Sequence, residues 1–384
     1  MLVIRVAGCG DAGSGGDPWS GGAAPAGTPL EIVAESLLEI GAAESDSASI
    51  LHRVLTPFLL PGGEVAVPLA ADRAIRIYAA DGRLARTLGR PGQGPGEFVD
   101  LSAAWPRGDT VEAYDFRLHL QRITRFIPGG SVQEVVLESV PFGSSPVRGG
   151  LAGGWLLRVM VNPDPAVRPA RSRDTLALAH FGRDGRRLGE IARMAGLARF
   201  STPGGQTLPE PLSPEGRVAL HGDLIFVGDT REPVLRVLDA AGDTVQDITW
   251  TPAAGVSPRD ALRAVLDSLF ARTPSARLAD VRQRYRDAPA PDGLSVFWDL
   301  IADDEGFLWV RPYDPLLHSH ALGGWAGVGP GGDWWVFGPD GDRVAVVRMP
   351  AGLVPTHIAY DAIAGVHRDD DGVESVRIHA LRRR

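Results

Sequence analysis

Residues 75–98 read IRIYAADGRLARTLGRPGQGPGEF: an alternating run, an Asp81-Gly82 turn, a second alternating run and a glycine-rich tail. The alternation in IRIY and RLART has the period of half-buried strands, and Gly82 can supply the positive φ that a tight hairpin needs. Outward from this stretch the outline returns. LQRITRFIPGGSVQEVVL, TLALAHFGRDGRRLGEIA, PVLRVLDAAGDTVQDITW and DWWVFGPDGDRVAVVRMP repeat it, with turn glycines Gly82, Gly130, Gly185, Gly242 and Gly341 spaced 48, 55, 57 and 99 residues apart. A unit of this size cannot bury its apolar face alone, so recurrence implies sheets stacked on one another.

Each unit divides into four short strands, a to d. In the first these are residues 54–60, EVAVPLA, AIRIYAA and RLARTLG, with Pro61-Gly62-Gly63 between a and b. The sixth unit, THIAYD, IAGVHRDDDG and VESVRIHAL, has only three strands before Arg384. LEIVAESLLEI, residues 30–40, has no turn partner of its own and is expected to supply the fourth, although its Leu, Glu and Ala content also suits a short helix. The expectation is an all-β, six-bladed β-propeller of four-stranded antiparallel blades over residues 28–384, closed by the N-terminal strand so that no sheet edge is left open. One insertion, residues 257–287, reads as helical. Ser257 is placed as N-cap and Pro258 as the first helical residue, Leu262, Val265, Leu266 and Leu269 share a face, and Thr273-Pro274 splits the segment in two.

Composition narrows the function. The 384 residues are 44% hydrophobic and carry a formal net charge of −8, with no basic stripe of the kind that phosphate backbones require, so no nucleic-acid partner is expected. The only cysteine is Cys9. Val6-Ala7-Gly8-Cys9 resembles the lipobox of bacterial lipoproteins, and the Gly/Ala/Pro/Ser-rich stretch that follows, to residue 27, reads as a flexible tether. The resemblance implies a lipid on Cys9 as the sole membrane contact and an extracytoplasmic address, lipid-anchored, periplasmic or secreted. Only Met1–Arg5 precedes the box, shorter than a signal peptide's apolar region.

Asp72 with Arg76-Ile77, Asp115 with Arg122-Ile123, Asp229 with Arg236-Val237, and the segment Gly92–Phe98 resemble the repeat of NHL-type six-bladed propellers, a group that includes bacterial envelope lipoproteins. The likeness runs over about residues 50–381; the third and fifth units lack the Asp/Arg pair. It implies the fold and leaves the activity open, since propellers of this kind serve as lyases, lactonases, sensors and scaffolds.

Catalytic motifs are weak. Gly89–Gly96 lacks the Gly-Lys-Ser/Thr of a phosphate loop and reads as a blade connector. The recurring Asp72, Asp115 and Asp229 are expected to accept backbone N–H groups in their own turns. His318-Ser319-His320 has no third ligand at metal-site spacing, and Asp369-Asp370-Asp371-Gly372 lacks the alternate acids of a calcium loop. No cofactor or metal is assigned. With a single Asn, Asn162, the channel metal set of the family's lactonases has no counterpart.

Strand order says more. In an up-and-down blade the b-to-c and d-to-a connections share one face, and every long connection, 162–173, 193–213, 251–293 and 314–331, is of that kind. Binding residues concentrate on loops held by a rigid scaffold. The candidates on this face are Asp115, Arg117, His119, Arg168, Arg171 and Arg173. With them go Arg231, His318, His320 and Trp325, and His357 near the mouth of the last inner strand. The expected function is recognition of a peptide, glycan or envelope protein there; the alternative is a metal-dependent hydrolase or lyase, lactonase-like or amidating-lyase-like, working in the central channel.

Overall fold

A computed structural model describes residues 30–41, 51–116, 120–141, 143–161, 170–252, 255–322, 331–369 and 372–383. Cys9 and the tether before residue 28 lie outside them. Six sheets form the blades, five with their strands in sequence order from the centre outward and the sixth with the N-terminal strand outermost, and strand a of each lines a central channel. The a strands are Phe58–Leu59, Leu101–Arg107, Ser145–Pro146, Gly216–His221, Phe297–Ala302 and Leu353–Ile358. Gly82, Gly130, Gly185, Gly242 and Gly341 all have φ between 84° and 92°, so the spacing that defined the repeat marks five equivalent left-handed turns.

Ring closure is as expected. Leu30–Ile40 is the outer strand of the sixth blade, antiparallel to Glu374–Arg383 with Leu30 opposite Arg383 and Ile40 opposite Val376. Its helix formers are overridden by tertiary pairing: Leu30, Ile32 and Ile40 are buried against two different blades. Six apolar clusters sit between successive blades and a seventh lies under the helices, so each blade is held by its neighbours' side chains.

Buried acids pin two of these junctions. Glu112, fully buried on the second blade, accepts from the indole Nε1 of Trp105 at 3.0 Å and of Trp155, on the third blade, at 2.7 Å. Arg107 and Arg125 sit 2.9 and 3.1 Å from its other oxygen. Asp303 repeats the device between blades five and six, accepting from Trp309 at 2.9 Å and from Arg383 at 2.6 Å. A buried carboxylate is tolerable only when paired in this way.

The connector 89–98 is a structural turn. Arg90–Pro91 pairs in parallel with Glu97–Phe98, Glu97 accepts from the Gly94 N–H at 2.8 Å, and the Arg122 guanidinium donates to the Glu97 carbonyl. A Cβ on Gly89 would lie 2.2 Å from the buried Phe98 ring, and its φ of 76° already favours glycine.

Blade three departs from the expected boundaries. Its outer strands, Arg171–Gly182 and Arg187–Ser201, run past the sheet, and Thr207–Pro209 pairs back onto the overhang as a fifth strand. Residues 193–201, expected as loop, are therefore strand. The alternation of buried Met194, Gly196, Ala198 and Phe200 is its period-2 signature.

The insertion forms α1, Pro258–Arg272, and α2, Ser275–Tyr285. Ser257 Oγ accepts from the Asp260 N–H at 3.1 Å, the cap read from sequence. Leu262 and Val265 are buried with Leu212 and Tyr313, and Tyr285 of α2 packs at a tilt against Phe200 of the overhang, ring centroids 6.3 Å apart. The helices, the overhang and the 314–322 segment thus stand together over blades three to five, on the loop-bearing face. Short hairpins such as 239–243 and 338–342 form the opposite face.

Candidate functional site

Of the eleven binding candidates, Arg117, His119, Arg168 and Trp325 lie outside the described residues. Asp115, Arg171, Arg173, Arg231, His318 and His320 all belong to the loop-bearing side, but several are occupied in holding it together. Asp115 is completely buried and its carboxylate is used internally: one oxygen accepts from the N–H groups of Val99 and Asp100, and the other is 3.2 Å from Arg122. The bonded backbone is the preceding connector, not the residue's own turn. Asp229 does accept from its own turn, at Arg231 N, 3.1 Å, while Asp72 pairs with Arg76 at 2.7 Å. The Asp–Arg pairing of the repeat therefore forms in blades one and two, but in blade four Arg236 faces Asp247 at 3.7 Å and Asp229 takes Arg173 instead.

Arg171 makes a two-pronged bond to the buried Glu210, and Arg173 joins blade three to blade four through Asp229 at 2.8 Å and the Pro214 carbonyl at 3.3 Å. Arg171 and Arg231 keep 44% and 40% of their side chains exposed, so both remain able to meet a partner. His357 is separate from this group. It is the penultimate residue of the sixth inner strand, 3.3 Å from Asp304 of a hairpin turn, and lines a channel cavity of about 300 Å³ that also touches Thr56, Trp105 and His221. Inner strands run from the loop face toward the hairpin face, which puts the end of this one on the wrong side for the loop cluster.

His318 and His320 are brought together around Trp298. The His318 ring stacks on the indole at 5.0 Å and 8°, and its Nδ1 accepts the Asp314 N–H at 2.9 Å, which places the proton of the neutral ring on Nε2. Burial, with the Arg311 and Arg217 charges adding to it, drops its pKa to about 2. Burial likewise lowers His320, 3.9 Å from Glu215. Among the described residues no group of three His, Cys, Asp or Glu side chains is arranged to hold a metal ion.

His318 is thus neutral in the folded chain but protonated in the unfolded chain between about pH 2 and its ordinary value of 6.5. The unfolded state binds the extra proton, so stability falls as pH drops below 6.5, by roughly 2 kcal/mol at pH 5 from this residue. Melting at pH 7.5 and 5.0 should show the drop, and His318→Asn, which keeps an acceptor for the Asp314 N–H, should flatten it. An unchanged slope in the variant would exclude His318 as the source.

Four arginines that sequence reading passed over complete the site: Arg148 and Arg158 of blade three, Arg217 of blade four and Arg311 of blade five. Arg217 lies 4.6 Å over the Trp298 ring, donates to the Trp298 carbonyl and pairs with Glu215 at 2.5 Å. Arg148 donates to the Thr356 carbonyl at 3.4 Å, reaching from blade three to the diametrically opposite blade six. It is accessible to water yet surrounded by protein, as a side chain crossing a channel must be. The missed signal is a charge inside an apolar strand, as in WLLRVMV and LWVRP.

Three solved structures are similar to this chain over almost its whole length. A member of the DUF4221 family from Bacteroides vulgatus covers 94% of this chain and 100% of its own at 10% identity, TM-score 0.47. A Bacteroides fragilis protein classed as exported covers 92% and 95% at 12% identity, TM-score 0.46. Virginiamycin B lyase from Staphylococcus aureus covers 92% and 98% at 11% identity, TM-score 0.39. The likeness is one of fold. No protein-family model matches the sequence, and no curated protein does. Among the described residues no helix is long and apolar enough to cross a membrane.

Proposed function

We propose that the chain is an extracytoplasmic binding or scaffold propeller of the NHL type, which recognises a peptide, glycan or protein partner on its loop-bearing face. One observation carries this reading: α1 and the 314–322 segment share an apolar cluster of their own around Leu212, Val265 and Tyr313 on that face, and α2 meets the blade-three overhang there through Tyr285 and Phe200. Such additions contribute nothing to ring closure, whereas a fixed raised rim beside a channel mouth is what a recognition surface requires. The Val6–Cys9 lipobox likeness supports an envelope address, with a lipid on Cys9 as anchor.

The test is capture from an envelope extract by the full chain and by a variant with Arg117, Arg231 and Trp325 all replaced by alanine. The variant should lose at least about tenfold in captured partner while its melting temperature moves by no more than about 2 °C, the small change usual for surface positions. Capture that survives the triple substitution would place the recognition surface elsewhere.

A further inference from the structure

Of the arginines Arg148, Arg158, Arg217 and Arg311, Arg148 lines the channel cavity, and three are under-compensated. Arg217 has Glu215, but among the described residues no carboxylate is ion-paired with Arg148, Arg158 or Arg311, and Arg158 Nε is buried with no hydrogen-bond partner. The charges that act on Arg158 are Arg217 and Arg148, which repel it, and Glu215 and Asp299, which attract it. Asp299 is also the attracting charge for Arg148 and, with Asp314, for Arg311. Asp299 is therefore shared among all three guanidiniums, with Glu215 acting besides on Arg158 and Asp314 on Arg311.

Burial works against the charged form of all three, yet a guanidinium does not give up its proton in a protein. The site must keep its charge and bear the repulsion. His318 adds a second unpartnered donor, since its Nε2 is buried without an acceptor and the charges acting on the ring are Arg311 and Arg217. The cavity of about 300 Å³ reaches Arg148 from the hairpin face, which gives a small molecule a way to that guanidinium.

The geometry points to a binding site in the channel for a small anionic ligand, whose carboxylate or phosphate group is held by Arg148, Arg158 and Arg311. Planar guanidinium forks match the paired oxygens of such groups, and a bound anion would satisfy Arg158 and relieve the repulsion among its neighbours. The site is independent of partner capture: it uses the channel interior and none of Arg117, Arg231 or Trp325.

The test is the melting temperature of the full chain titrated with inorganic phosphate and, separately, with citrate, each against chloride at equal ionic strength and pH 7.5. A saturable rise of about 2 °C or more with one of them is expected, as for any ligand that binds only the folded state, and the arm that responds identifies the group. Arg158→Met should melt at the same temperature as the wild type or above it without ligand, because a repelled charge is gone, and should need at least tenfold more anion for half the shift. If that variant does not fold, Arg148→Met, at a water-accessible position, should show the same weakening. Shifts no larger than those in chloride, or undiminished in the variant, would overturn the proposal.

Discussion

A chain beginning at residue 42 is expected to lose its cooperative melting transition. The missing strand, Leu30–Ile40, is the outer strand of the sixth blade; its Leu30, Ile32 and Ile40 contribute to clusters on both sides of that blade, and Val33 is buried as well. Burying a side chain of this size is worth about 1.5–3 kcal/mol, so four together contribute on the order of 6–12 kcal/mol, close to the whole net stability of a typical domain. Pairing goes with them: Glu39 accepts from Ser375 at 2.9 Å and Arg377 at 2.8 Å, and His379 is bonded to the Val33 carbonyl at 3.0 Å. The truncated chain would also expose the edge of Glu374–Arg383 and should self-associate. A synthetic peptide of residues 30–41 added in trans should restore the transition. Melting of the truncated chain within a few degrees of the full chain would show that the ring does not need its clasp.

Glu112→Gln should be the most damaging conservative substitution in the molecule, costing about 3–5 kcal/mol in chemical unfolding. The amide has the same shape but no charge, so Arg107 and Arg125, at 2.9 and 3.1 Å, lose the counter-ion that compensates them. Its NH2 would also confront whichever donors it faces, since the two indoles occupy one oxygen and the guanidiniums the other. The acid ties Trp105, Arg107 and Arg125 of blade two to Trp155 of blade three, beside the apolar cluster of that junction. A loss below about 1 kcal/mol would mean that water or rearranged partners replace the carboxylate.

The blades were legible because their signal is local. Alternation, a turn glycine and a spacing of about fifty residues lie within each repeat, and the lone strand at residues 30–40 followed from the missing fourth strand of the last unit. The channel was not legible for the opposite reason. Arg148 and the Thr356 carbonyl are 208 positions apart and meet only because ring closure sets blade three across from blade six. His357 was misassigned in the same way: its place depends on how far along its strand it falls, which sequence resolves poorly. Asp115 was drawn to the surface by its position at a strand end, yet it is wholly internal because the 89–100 connector folds back over it.

The helices show a mixed case. Ser257, Pro258 and the apolar face of α1 were read correctly because capping and helical periodicity are local too. That α2 would lean on an overhang of blade three was hidden, since the overhang itself had been read as loop.

The assignment of activity to one face is tested most directly by hydrogen–deuterium exchange of the full chain with and without its captured partner. The account predicts protection at residues 171–173, 229–231 and 314–322, with the hairpin turns at 61–63, 81–83 and 239–243 exchanging as in the free chain. Protection confined to those hairpins, with the loop-bearing segments unchanged, would contradict it.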